Sequence, residues 1–292
     1  MNRTAWLSAV AFSASLCTGA LAQVSGTVKL DGPAPKRMPV PGLSANAQCA
    51  AMHKQPLLDE SIVADKDGNL NNVVIFLRGA NVKGEAPKDP VMLDQVACQY
   101  VPHVVTATVG QKIVALNDDA FLHNVHTLPE DSVPTNIAMP GKDRTGVALK
   151  PISSPEIVKT KCDVHPWMSA WIAVFDHPFH TVTGEDGAYE LDVKGLADGE
   201  YEIVAWQEKF KEHPTPQKVT IKAGKAEKPV DFTFKQKAAA AGKGGMPESE
   251  VTLASLKGTV PVAAEGKACE HCEAGKAAVA AKAAAAAAAV AK

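Results

Sequence analysis

The segment Cys162-Asp163-Val164-His165-Pro166-Trp167-Met168 places a thiol, an imidazole and a thioether in one short stretch of chain. Such donors are soft to borderline, and they suit copper in both of its oxidation states. Magnesium and calcium need a cage of oxygen ligands, which this stretch does not offer. A further donor stands upstream in Phe121-Leu122-His123-Asn124-Val125-His126. A Cys-x2-His pair alone is equally half of a zinc site, so it is the conjunction of Cys162, His165, Met168 and His123 that points to copper. His126 is read as packed or partly exposed rather than as a ligand. Its odd spacing from His123 aims it at the opposite face of an extended segment.

The other cysteines leave two pairs to explain. Cys17 lies in the N-terminal apolar run, and beyond it come Cys49, Cys98, Cys162, Cys269 and Cys272. An odd number in an oxidising compartment leaves a thiol that metal ligation would account for. Cys49 and Cys98 sit in similar settings, Cys49-x3-His53 and Cys98-x4-His103. A disulfide between them is the first reading, and a second metal site built from those four residues is the alternative. In Cys269-Glu270-His271-Cys272 the histidine falls inside the pair rather than after it, so a covalent c-type haem is not expected. A local disulfide or casual metal binding is the reading kept there. His177, His180 and His213 fall near the expected domain junctions and read as surface or boundary residues.

Short runs rich in Val, Ile and Thr must position these donors. They include Gly26 to Leu30, Asn72 to Leu77, Val104 to Val109, Lys112 to Asn117, Ile157 to Lys161, Trp171 to Phe175, Glu200 to Trp206 and Val230 to Phe234. Gly, Asp, Asn and Pro bound them, and no long amphipathic helical pattern intervenes. That regular spacing predicts an all-β sandwich architecture.

The chain begins Met1-Asn2-Arg3, runs apolar from Ala5 to Ala22 and closes on Ala20-Leu21-Ala22, the pattern of a cleavable export signal over residues 1–22. Leu16-Cys17 leaves a lipoprotein anchor as a lesser alternative. The expected location is therefore periplasmic or secreted, with no transmembrane segment after cleavage. Charge is nearly balanced, with 30 Lys+Arg against 32 Asp+Glu. Nucleic-acid binding, which needs a basic surplus on one face, is excluded as a class. From residue 237 the composition turns to Ala, Lys and Gly, and a tail so poor in large apolar residues is expected to stay mostly disordered.

The paired motifs resemble those of the cupredoxin (type 1 blue copper) family, and within it the amicyanin- and plastocyanin-like members. The resemblance runs from near Val91 to Phe175 and includes the Val109-Gly110-Gln111-Lys112-Ile113 turn and the Asn117-Asp118-Asp119 approach to His123. It implies a Greek-key sandwich over residues 89–177 holding one type 1 copper ion. His123 and His165 would be its imidazole ligands, Cys162 the thiolate and Met168 the weak axial thioether. Asn124 would tie the two loops together and donate toward the sulfur of Cys162. His165 would lie near the surface. Pro166 and Trp167 would then form an apolar docking patch, although Trp167 is equally well read as an aromatic that plugs the core.

A second resemblance is to transthyretin-like modules of the carboxypeptidase regulatory-like family. It rests on Gly26-Thr27-Val28, on Asn72 to Leu77, and on Thr183-Gly184-Glu185-Asp186-Gly187-Ala188-Tyr189 with Asp198-Gly199-Glu200-Tyr201. It implies one sandwich split between residues 24–88 and 178–236 around the inserted cupredoxin-like part. The rival organisation is three beads on a string.

A copper held by four protein ligands has no easy open position, so the resemblance implies outer-sphere transfer of single electrons rather than bond-making catalysis. The partner expected is a redox protein such as a c-type cytochrome or a dehydrogenase. The reading from a different class is a copper-binding or copper-handling protein that stores or delivers the metal.

Overall fold

The computed structural model describes residues 23–236. The expected export signal over residues 1–22 and the expected tail from 237, with Cys17, Cys269 and Cys272, lie outside the described residues. The described chain is mostly β, arranged in several sheets. No helix among the described residues is long and apolar enough to cross a membrane.

In chain order the strands are β1 (Gln23–Asp31), β2 (Val74–Arg78), β3 (Val91–Val96), β4 (Gln99–Val101), β5 (Val104–Thr108) and β6 (Ile113–Asn117). They continue with β7 (His123–Leu128), β8 (Asn136–Met139), β9 (Asp143–Ala148), β10 (Glu156–Lys161) and β11 (Ser169–Phe175). The last are β12 (His180–Val182), β13 (Ala188–Asp192), β14 (Gly199–Trp206), β15 (Gln217–Lys222), β16 (Lys225–Ala226) and β17 (Phe232–Lys235). A short helix α1 (Ala47–Ala51) lies in the long connection between β1 and β2.

One sheet has the order β12-β2-β14-β15-β16-β1-β13, with β17 also pairing β1. Strand β1 shows why the sequence folds this way: its residues alternate between core and solvent, with Val24, Val28 and Leu30 buried. That period of two is what a half-buried strand requires. Gly26 is needed in it, because a Cβ there would come within 1.9 Å of the Val230 carbonyl oxygen. Partners of β1 are far along the chain, with Gly26 opposite Tyr189 and Val28 opposite Phe232.

Residues 91–175 form two further sheets, β5-β11-β10-β7-β8 and β4-β3-β6-β9. They enclose a core that includes Leu93, Tyr100, Val105, Ile113, Val125, Val158, Ile172 and Val174. The pairs β5–β11 and β3–β6 are parallel, so the chain crosses over between sheets instead of running in simple hairpins.

A third apolar cluster joins the two bodies. Val74 and Phe76 of β2 and Val204 and Trp206 of β14 pack with Val104, Ala173 and Phe175. Strands β2 and β11 are thus buried on both faces, which explains their continuous apolar runs Val-Ile-Phe-Leu and Ala-Trp-Ile-Ala-Val-Phe.

Candidate metal centre

Antiparallel pairing of β10 with β11 ends at Lys161 opposite Ser169, so residues 162–168 are the loop of a hairpin. Two backbone bonds shape it: Cys162 N–H donates to the Met168 carbonyl at 3.2 Å, and Met168 N–H to the His165 carbonyl at 2.9 Å. This compact loop turns Cys162, His165 and Met168 inward, and all three are buried.

His123 arrives from the β6–β7 connection, and Asn117 organises that turn. Its side-chain amide donates to the carbonyls of Phe121 and Met139 and accepts from Asp119 N–H. His123 then opens β7 opposite Met139 of β8, with no solvent exposure.

The two loops meet. His123 Nδ1 lies 2.9 Å from His165 Nδ1, and Cys162 Sγ is 3.9 Å from the same His165 nitrogen. Ligand atoms of His123, Cys162 and His165 all fall within 4.8 Å of one another. Met168 is packed in the same core as Cys162.

Protonation follows from the neighbours. His123 Nε2 donates to Asp119 Oδ2 at 2.7 Å, which fixes the proton on that nitrogen and leaves the Nδ1 lone pair facing His165. A carboxylate behind a histidine is how proteins orient and strengthen imidazole ligands. Asp119 itself is buried and accepts two more bonds, from the backbone N–H groups of Ala97 and Cys98, each at 2.8 Å. Burial holds the His165 imidazole below its ordinary range, and His123 beside it pushes the same way. Burial thus favours the neutral form of His165, the form that metal ligation requires.

Asn124 ties the loops together by accepting from Asp163 N–H at 2.6 Å. Its side-chain N–H groups go to Asn136 and Asp163, so the side-chain amide donates there and not toward the sulfur of Cys162. The Lys161 ammonium beside Asp163, helped by His126, Asn136 and Asn124, holds that carboxyl far below the usual carboxylate range. His126 is partly exposed and bonded to Asp163 at 2.9 Å, away from the ligand cluster.

His165 is buried at 3 % exposure rather than lying near the surface. Phe121 and Trp167 flank its ring at centroid distances of 6.2 and 5.1 Å. Pro166 is exposed, but Trp167 is half-buried, donates its indole N–H to the Cys98 carbonyl at 3.1 Å and lies under Gly42. The connection between β1 and β2 therefore covers the edge through which the docking patch was expected to act.

That connection is fastened by a disulfide, Cys49–Cys98. Its sulfurs are thereby committed, which removes the alternative site of Cys49, His53, Cys98 and His103. His53 instead bonds the Ala97 carbonyl, and His103 bridges the two bodies through Glu208. His177 is a correction to the surface reading: it is buried, donating to the Leu77 carbonyl at 2.9 Å. His180 stacks on Phe175, and His213 bonds the Gln207 carbonyl.

The Cys49–Cys98 disulfide is the one read from sequence, but its place beside the histidines, and the role of Asp119 behind His123, were missed. The i, i+4 spacing of Asp119 and His123 was the one available signal.

No protein-family model matches the chain, and no curated protein matches it. Among solved structures, amicyanin from Paracoccus versutus overlaps 34 % of this chain and 96 % of its own, at 17 % identity and a TM-score of 0.26. A purple cupredoxin from Nitrosopumilus maritimus overlaps 29 % and 98 %, at 18 % identity and a TM-score of 0.24. A copper-containing nitrite reductase from Thermus scotoductus overlaps 34 % of this chain but only 25 % of its own, at 20 % identity and a TM-score of 0.27. Overlaps of this extent define no family membership.

The donor set fits copper: two imidazole nitrogens, a thiol and a thioether, all buried and close enough in the case of the first three to share one ion.

Proposed function

We propose that this chain is an exported blue-copper protein that carries single electrons between redox proteins, such as a c-type cytochrome and a dehydrogenase. The observation that carries the reading is the convergence of His123 Nδ1, His165 Nδ1 and Cys162 Sγ from two loops, with Met168 buried in the same core. Copper held there would supply a one-electron couple without an open coordination position.

The chain's own residues do the rest. Asp119 orients His123 and holds its proton on Nε2, and Asn124 locks the two loops in register. Close packing around Met168 and Cys162 keeps the donors in one arrangement whichever charge the metal bears. Storage and delivery, the copper-handling alternative, would need an incoming donor to reach the metal. Four buried donors oppose that, and the geometry favours the carrier.

We also read residues 89–177 as a cupredoxin domain inserted into a transthyretin-like sandwich formed by residues 24–88 and 178–236. The scaffold sandwich would anchor the strap that closes the metal end.

The deciding experiment is absorption and paramagnetic-resonance spectroscopy of the copper-loaded protein. An intense visible thiolate-to-copper band is expected, and Cys162→Ser is expected to abolish it. A band that survives the substitution would falsify the assignment.

A further inference from the structure

The Cys49–Cys98 disulfide does more than tie down a strap. Sγ of Cys49, Sγ of Cys98 and a ring nitrogen of His165 lie within 4.8 Å of one another, and all three residues are buried. Cys98 makes a second cluster of the same tightness with Asp119 and His123. A covalently capped pair of sulfurs thus stands against the histidines of the candidate copper centre.

The sulfurs are held from outside the bond that joins them. Ala97 and Cys98 form the turn between β3 and β4 with φ of 51° and 59°, a left-handed conformation that favours glycine or asparagine. Asp119 accepts both N–H groups of that turn, while His53 and Trp167 bond its two carbonyls. Cys49 sits in the first turn of α1, where the Asn46 side chain accepts its N–H at 3.1 Å. None of these contacts runs through the S–S bond itself. Cys98 also lines a cavity of about 690 Å³ together with Pro41, Tyr100, Pro166 and Trp167, the side from which an outside thiol would approach.

We propose that Cys49 and Cys98 are a redox-gated metal site that, once reduced, takes a cuprous ion with His165. The reductant is a dithiol. Its thiolate attacks Cys98 Sγ, the S–S bond breaks, and Cys49 leaves as a thiolate that takes up a proton. The second thiol of the reductant then displaces Cys98 Sγ, which is protonated in turn. The reductant leaves as its disulfide, and two electrons and two protons have passed to Cys49 and Cys98. Binding of the cuprous ion releases thiol protons to solvent. Two soft thiolates and one imidazole suit this ion, whereas a structural zinc site takes four ligands.

His165 is shared with the Cys162 centre, so the test removes that centre and stands or falls apart from the electron-carrier reading. The full chain carrying Cys17→Ser, Cys162→Ser, Cys269→Ser and Cys272→Ser is titrated anaerobically with cuprous ion against a colorimetric chelator. It is compared with the disulfide intact and after reduction by dithiothreitol, with the reductant removed. The reduced chain is expected to bind one equivalent at least about 10-fold more tightly than the intact chain, with two copper–sulfur neighbours from thiolates in X-ray absorption. Adding His165→Ala is expected to weaken uptake by about 10- to 100-fold, the scale on which a metal site responds to its supporting groups. Equal uptake in both redox states overturns the proposal. So does a bond that resists reduction while the chain stays folded, or a reduced chain that loses its near-ultraviolet circular dichroism.

Discussion

The two β bodies of this chain are filled in different ways. The core beneath β1, β2, β13, β14 and β17 is dominated by apolar side chains, and its tyrosines Tyr189 and Tyr201 donate their hydroxyl groups to the Val230 and Ala197 carbonyls. The core of residues 91–175 grades at one end into Cys162, Met168, the Cys49–Cys98 bridge, His123, His165 and Asp119. Similar strand chemistry therefore yields an apolar scaffold in one case and an end lined by candidate metal donors in the other. The difference lies in loops: donors come from the β6–β7 and β10–β11 connections, and the strap between β1 and β2 closes over them.

The largest effect separating the two is expected in the scaffold. Phe234 is fully buried and packs on Phe210. Phe234→Ala should cost about 3–5 kcal/mol in urea unfolding, with copper affinity of the folded protein unchanged. A matching loss of affinity would show that the two cores are not separable in function.

Acid tests the seam between them. Burial, with His177 adding to it, pushes His180 down to about 3. Its folded value lies below its unfolded value, so its contribution is complete above pH 6.5 and is lost as pH falls toward 3. His180→Leu should flatten this loss in a pH series of melts. His103 has the opposite sign. Burial pushes it down, but the bond and charge of Glu208 prevail and raise it. Its contribution is therefore full below 6.5 and fades as pH rises through the raised value. Acid strengthens one clasp between the bodies while loosening the other.

The smallest effect lies behind the metal donors. Asp119→Asn removes the charge that orients His123 and should lower copper affinity about 10- to 100-fold, while the apolar scaffold melts as before. An unchanged dissociation constant by chelator competition would mean that Asp119 serves only the Ala97–Cys98 turn.

The β architecture was legible because alternation in strands such as β1 and two-sided burial in β2 and β11 leave plain patterns. Strands β8 and β9 were not, since Asn136–Met139 is short and Asp143–Ala148 is largely exposed and interrupted by Gly146. Cys162, His165 and Met168 were legible because they share one loop, and His123 because its segment matched a known pattern. The contact of Cys49 and Cys98 with His165 was hidden, because it depends on a strap whose path no local pattern encodes. The burial of His165 was hidden for the same reason.

The pairing of β1 with β13 and β17 sets a timetable for the chain's own assembly. Val28 meets Phe232 only after nearly the whole described sequence exists, whereas residues 91–175 contain every partner of their own sheets. The entropy of closing so long a loop must be met before any ladder bond rewards it. The contiguous body can thus take shape as a template, and β1, the first of the described strands to be made, is among the last to find its place.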